Sequence, residues 1–168
     1  MKNQEKYSLI KYVITDVDGV LTDGGIYTGI DGIIFKKFNV KDGAAVKILK
    51  DLGLITVILS SESDINNSKI LENRSKKIGI NNCFYAIDNK KEFLKNFLSE
   101  RNLNPENLAY IGDDINDLDA MSLSGIKACP NDAVEDIKNV VDIVLSKNGG
   151  DGCFREFVEI IKSNLPND

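Results

Sequence analysis

Tyr12-Val13-Ile14-Thr15-Asp16-Val17-Asp18-Gly19-Val20-Leu21-Thr22-Asp23 decides the fold of this 168-residue chain. The apolar run 12–15 reads as a strand buried on both faces. Side chains alternate along a strand, so Asp16 and Asp18 leave its end on one side. Two carboxylates that close repel each other and resist desolvation, and they need a cation or a shared proton to coexist. A glycine turn follows at once. Strand, acid pair and turn together predict a metal-dependent phosphate site at the strand's end.

Outward from this stretch, Gly24-Gly25 and the segment 29–32 punctuate two short apolar runs, 26–27 and 33–38, which predict a β-hairpin. Asp42 is placed to cap a helix over 43–52, which Gly53 stops. The apolar run 55–59 is a second buried strand, ending at Ser60. Helix 68–78, strand 83–85, helix 89–100, strand 108–111, helix 115–123, strand 126–128, helix 133–139, strand 143–145 and helix 154–163 follow. Alternating strands and helices imply an α/β fold: a doubly wound, Rossmann-like parallel sheet with ligands at the carboxyl ends of its strands. Asp16, Asp18, Ser60, Asp113 and Asp114 all fall at such ends. No Gly-x-Gly-x-x-Gly follows the first strand, which disfavours a dinucleotide-dependent dehydrogenase.

Composition narrows the chemistry. The chain has no histidine, which removes Ser-His-Asp catalysis, histidine bases and histidine-ligated zinc. A metal would be held by oxygen, which favours magnesium. The formal charge is −5 with a pI of about 4.9, against broad nucleic-acid binding. Cys83, Cys129 and Cys153 are scattered, without a Cys-x-x-Cys, and read as reduced thiols. No apolar run spans a bilayer and no signal-peptide core is present, so the expectation is a single-domain cytoplasmic protein of residues 1–168 with no membrane partner.

Asp-Val-Asp-Gly-Val-Leu-Thr-Asp at 16–23, Ser60, Lys90 and Gly-Asp-Asp-Ile-Asn-Asp at 112–117 resemble, in order and character, the haloacid dehalogenase superfamily of phosphohydrolases. Asn39-Val40-Lys41-Asp42-Gly43 and Gly149-Gly150-Asp151-Gly152-Cys153-Phe154-Arg155-Glu156-Phe157 look like its capless branch. That branch holds phosphatases of Kdo 8-phosphate and of nonulosonate 9-phosphates, and modules fused to acylneuraminate cytidylyltransferases. Residues 19–59 and 61–89 leave no room for a cap domain of roughly 50 residues or more.

The resemblance implies a set of roles. Asp16 is the nucleophile that takes the phosphoryl group and Asp18 the acid and base. Ser60 and Lys90, rather than Lys91, hold phosphoryl oxygens. Mg²⁺ sits on Asp16, Asp113 and the backbone carbonyl of Asp18. Asp114 and Asp117 are either helix caps or members of the site. Asp42, Glu62, Arg74 and Arg155 are the substrate-binding candidates. Ser61 stands where the family usually has glycine. Glu62, where Kdo enzymes often carry arginine, leans towards 9-phosphates, while Asn39–Gly43 fits Kdo enzymes. The substrate implied is a small-molecule sugar-acid phosphate. A homotetramer is implied as well, with hairpins (flap about 24–38) packed together. The glycine-rich tail (about 148–168), given flexibility by Gly149, Gly150 and Gly152, would close a neighbour's site. Two rivals are a non-catalytic oligomerisation module and a phospho-receiver domain, which the Asp-x-Asp-Gly and Gly-Asp-Asp placements fit poorly.

Overall fold

The computed structural model describes residues 2–30 and 32–166, and the side chains of residues 2, 3 and 32–34 are outside that description. Asp31 of the predicted hairpin turn, the side chains of Ile33 and Ile34, and the last two tail residues therefore lie outside the described residues.

A helix α1 (Lys2–Ser8), not anticipated from the sequence, precedes β1 (Tyr12–Thr15), the hairpin β2 (Tyr27–Gly29) and β3 (Gly32–Phe35), and α2 (Val40–Asp51). Then come β4 (Ile55–Leu59), α3 (Ile65–Ile78), β5 (Asn82–Phe84), α4 (Lys90–Glu100), a 3₁₀ turn (Pro105–Asn107) and β6 (Leu108–Ile111). The chain ends with α5 (Ile115–Met121), β7 (Ile126–Cys129), α6 (Glu135–Lys138), β8 (Ile143–Val144) and α7 (Cys153–Asn164). Six strands form one parallel sheet in the order β5-β4-β1-β6-β7-β8. β1 is flanked by β4 and β6 in matching register, with Tyr12 level with both Ile55 and Leu108. From β1 the chain winds first to one side and later to the other. The carboxyl end of β1 is thus the switch point where doubly wound folds open a crevice.

Alternation along β1 divides the core. Val13 joins Ala45, Leu49, Phe154, Phe157 and Ile161 on the face covered by α2 and α7. Ile14 joins Leu94, Phe97, Met121 and Ile137 on the face covered by α4, α5 and α6. Each fully buried apolar side chain of this size contributes about 1.5–3 kcal/mol of transfer free energy. Both faces of β1 are thereby fixed, and so is the direction in which the next residues leave the sheet.

Caps move several helix ends from where the apolar pattern put them. The side chain of Asn39, not Asp42, caps α2 by accepting from Lys41 N. Asp42 is a residue of the first turn instead, and its Oδ1 accepts from Arg155 N, tying α2 to the start of α7. Asp64 accepts from Asn66 N and Asn67 N and starts α3 at Ile65, ahead of the predicted Ser68. Among the described residues no further domain is inserted between the elements, and none of the helices is long and apolar enough to cross a membrane.

Candidate active site

β1 delivers Asp16 to the switch point. Its backbone N–H donates to the Ile111 carbonyl at 3.1 Å, so the chain still follows the sheet there. Gly19 then turns with φ +87°, a conformation other residues adopt only with strain. A Cβ at Gly19 would overlap the Asp113 carboxylate, so glycine lets the loops after β1 and β6 meet.

The acids meet around one lysine. Lys90 is the first residue of α4, whose N-cap is Asn89. Its fully buried ammonium lies 3.0 Å from Asp16 Oδ1 and 2.8 Å from Asp117 Oδ1. The Tyr110 hydroxyl donates to Asp117 Oδ1 at 2.7 Å, and Asp113 N donates to Asp117 Oδ2 at 3.2 Å. Lys91 points outwards to Asp119. Asp114 and Asp117 are thereby told apart. Asp114 accepts from Ile115 N and caps α5, whereas Asp117 is buried among Lys90, Tyr110 and Asp16.

Burial dominates the electrostatics. Helped by the Asp117 charge and opposed by Lys90, it pushes the Asp16 carboxyl up to about 7. Burial, then Asp16 and Asp117, pushes Asp113 up to about 8. For Lys90, burial works against the charge, but Asp16 and Asp117 outweigh it and hold the ammonium above its ordinary range. Carboxylate oxygens of Asp16, Asp113 and Asp117 lie within 4.8 Å of one another. Asp113 Oδ1 is buried without a hydrogen-bond partner. Three acids against one ammonium, with an oxygen lone pair left free, fit a hard divalent cation.

Asp18 stands apart from that group. It receives Thr22 Oγ1 at 3.1 Å and the Lys36 ammonium at 2.8 and 2.7 Å. Ser60, at the end of β4, is buried, and its Oγ accepts from Glu62 N at 3.1 Å. The Ser61 hydroxyl donates to the Ile87 carbonyl, a use for the side chain where glycine was expected. Glu62 contacts Lys36 and borders, with Asp18, Gly24, Gly25 and Ile26, a cavity of about 200 Å³.

The other substrate candidates have structural partners. Arg74 donates to the Asn39 carbonyl and lies over Phe38, 5.4 Å from the ring centroid. Arg155 pairs with Glu159 at 2.6 Å. The reading of Gly149 and Gly150 as flexible tail residues is corrected. Both are buried against the loop after β1, where a Cβ at Gly149 would overlap the Gly19 carbonyl and Gly150 N donates to Val20 O. Their lack of a side chain serves close approach within one chain. Lys36 and Tyr110 escaped sequence reading. A tyrosine inside a buried strand just ahead of Gly112-Asp113 was a usable signal, because its hydroxyl must find a buried partner.

Comparison with known proteins agrees with this geometry. The profile of haloacid dehalogenase-like hydrolases matches residues 44–157. A 3-deoxy-D-manno-octulosonate 8-phosphate phosphatase of Haemophilus influenzae is 39% identical over 158 residues, covering 94% of this chain and 86% of that protein. The Escherichia coli phosphatase of the same name is 32% identical over 152 residues, with 90% and 79% covered. Among solved structures, a cobalt-bound form of the Haemophilus influenzae phosphatase has a TM-score of 0.87 at 38% identity, covering 95% of this chain and 91% of that one. The Moraxella catarrhalis phosphatase in complex with magnesium, phosphate and KDO has a TM-score of 0.89 at 31% identity, with 98% and 92% covered. This chain belongs to the haloacid dehalogenase-like hydrolases, in their capless form. Within them it is a phosphoric monoester hydrolase.

Proposed function

We propose that this hydrolase is a magnesium-dependent phosphatase of a phosphorylated 2-keto-3-deoxy sugar acid, acting in the cytoplasm as a homotetramer built on one domain per chain. The observation that carries the reading is the buried Asp16–Lys90–Asp117–Asp113 group at the carboxyl end of β1. Kdo 8-phosphate is the first substrate, on the strength of the relatives' names. A nonulosonate 9-phosphate is the second reading, favoured by Glu62 beside Asp18 where Kdo enzymes often carry arginine.

Two half-reactions follow from the residues. An Asp16 oxygen forms a bond to phosphorus as the sugar–oxygen bond to phosphorus breaks, and the Asp18 proton passes to the departing oxygen. Water then attacks phosphorus, its proton returns to Asp18, and the bond to Asp16 breaks to release phosphate. Lys90, buried on Asp16, offsets part of the burial that raises the nucleophile's carboxyl to about 7 and offers fixed positive charge to the phosphoryl oxygens, which the Ser60 hydroxyl also binds. Asp16, Asp113 and the Asp18 carbonyl would hold magnesium, which would neutralise charge on the transferred phosphoryl group. Asp117 holds Lys90 in place. Exposed Ile26 and Phe35 give the hairpin an apolar face for packing against other copies.

Phosphate release from both sugar-acid phosphates with magnesium tests the reading, with D16N as control. Preferred turnover of one substrate, abolished in D16N, is expected. Equal, feeble rates on both would refute the sugar-acid assignment. Full D16N activity would refute Asp16 as nucleophile.

A further inference from the structure

The hairpin places one charged group in the site to which no role has been given. Lys36 directly follows β3, and its side chain is only 8% exposed. Its ammonium reaches three carboxylate oxygens: Asp18 Oδ1 and Oδ2 at 2.8 and 2.7 Å, and Glu62 Oε2 at 3.3 Å. An ammonium has three donors, and these contacts occupy them while Asp18 is ionised; when one Asp18 oxygen carries the proton for the leaving group, Lys36 keeps its contact with the other.

Glu62 is in turn immobilised. Asn67 Nδ2 donates to its Oε2 at 2.9 Å, and Asp64 N donates to its Oε1 at 2.9 Å. Lys36 is therefore strung between an anchored acid on the body of the protein and the acid that moves the proton. Asp18 needs such a partner, because its side chain is 43% exposed and, apart from Lys36, is held by Thr22 Oγ1 alone. By contrast, Asp16 is buried and has Lys90. A carboxylate exposed to that degree has several staggered rotamers within reach, and proton transfer tolerates little misplacement. Glu62 also keeps the ammonium anchored whichever Asp18 oxygen is engaged.

We propose that Lys36 is a positioning residue for hydrolysis: it fixes the Asp18 carboxylate in the rotamer that meets the leaving oxygen, and it makes the seating of the hairpin a condition of turnover. The inference rests on the phosphatase reading above and goes beyond it by giving the flap a part in the chemistry.

The test compares kcat/KM, which reports transfer to Asp16, for an alkyl phosphomonoester and for p-nitrophenyl phosphate. The aryl leaving group departs without a proton and has little need of a well-placed Asp18. K36M is expected to lose about 10²-fold on the alkyl ester, the scale of a misplaced reacting group, and less than about fivefold on the aryl ester. The loss should lie in kcat rather than KM, and K36R should recover most of it. K36Q carries the same comparison should K36M fail to fold. Equal losses on the two esters, or undiminished alkyl turnover, would overturn the proposal. Wild-type protein inert on both esters would overturn the phosphatase reading itself, and the role of Lys36 with it.

Discussion

Replacing Asp42 with asparagine keeps the acceptor that Arg155 N uses and removes a buried charge. Asp42 is 2% exposed, and its Oδ2 is buried with no hydrogen-bond partner. Burial raises its carboxyl from 3.8 to about 6, and the Arg155 N–H, Lys147 and Arg74 offset only part of that rise. A gap of roughly two pH units at about 1.4 kcal/mol each makes the ionised group cost the folded state about 3 kcal/mol. The sign follows from proton uptake. The folded chain holds the proton more tightly than the unfolded one, so the stability it confers is complete below about pH 4 and is lost as pH rises through about 6. Asparagine stays neutral throughout. Urea unfolding of wild type and D42N between about pH 4 and 8 should therefore show curves that nearly coincide at the acid end. By neutral pH the variant should lead by about 3 kcal/mol. Asp16 and Asp113 titrate higher and are common to both proteins, so they cancel in the difference. A difference independent of pH, or a variant that loses ground as pH rises, would refute the reasoning.

Two further outcomes follow from the same geometry. G149A puts a methyl group against the Gly19 carbonyl; thermal unfolding should show a loss of about 1–3 kcal/mol, the scale of overpacking, together with reduced phosphatase turnover because the Asp18–Gly19 turn must shift. Magnesium at about 100 times its dissociation constant should stabilise the protein by about 2.7 kcal/mol in a thermal-shift assay. D113N should forfeit most of that gain, and an undiminished gain would place the ion elsewhere.

The parts of the fold legible in the sequence are those where one force acts alone. The runs 12–15, 55–59 and 108–111 are apolar on both faces because each is central in a parallel sheet, and all three form strands at those positions. Helix α1 left no comparable mark, since among its described side chains the buried one is Tyr7, followed by Ile10 beyond its end, and contact with α7 holds it. Helix starts slipped where two candidate caps lay close together, as with Asn39 and Asp42. Asp16 and Asp113 were singled out by the strands that precede them and Lys90 by the family resemblance, and the structure brings these three together; Ser60 lies at the end of β4 with Glu62 N as its partner. Lys36 was not singled out, because Lys36 and Lys37 are adjacent in a hairpin whose register decides which of them turns inwards. Gly149 and Gly150 were misread for another reason. A glycine required for a left-handed φ, for mobility or for the absence of a Cβ looks the same in sequence; here the Gly19 carbonyl decides Gly149, and a φ of +68° with the Thr22–Asp23 backbone alongside decides Gly150.

Two lysines contact the acids of the site, and their mountings differ. Lys90 begins α4, whose Leu94 and Phe97 are buried in the core, so its ammonium is as fixed as the sheet itself. Asp16, the nucleophile proposed above, has no need to move, because in-line attack rewards a group already in place. Lys36 projects from the hairpin, whose two strands pair with each other outside the six-stranded sheet. The hairpin's remaining polar ties to the body include Lys37 with Asp23 and Asp151, both partly exposed and worth little individually. Asp18 is therefore held from the hairpin, while Asp16 is held from the core of the fold. Since the apolar hairpin side chains Ile26 and Phe35 face outwards, anything that covers them would also steady Lys36. In the homotetramer proposed above, dilution to the monomer should cost turnover of poor leaving groups before it costs the fold, and a monomer with full alkyl-phosphate activity would break this link between assembly and proton transfer.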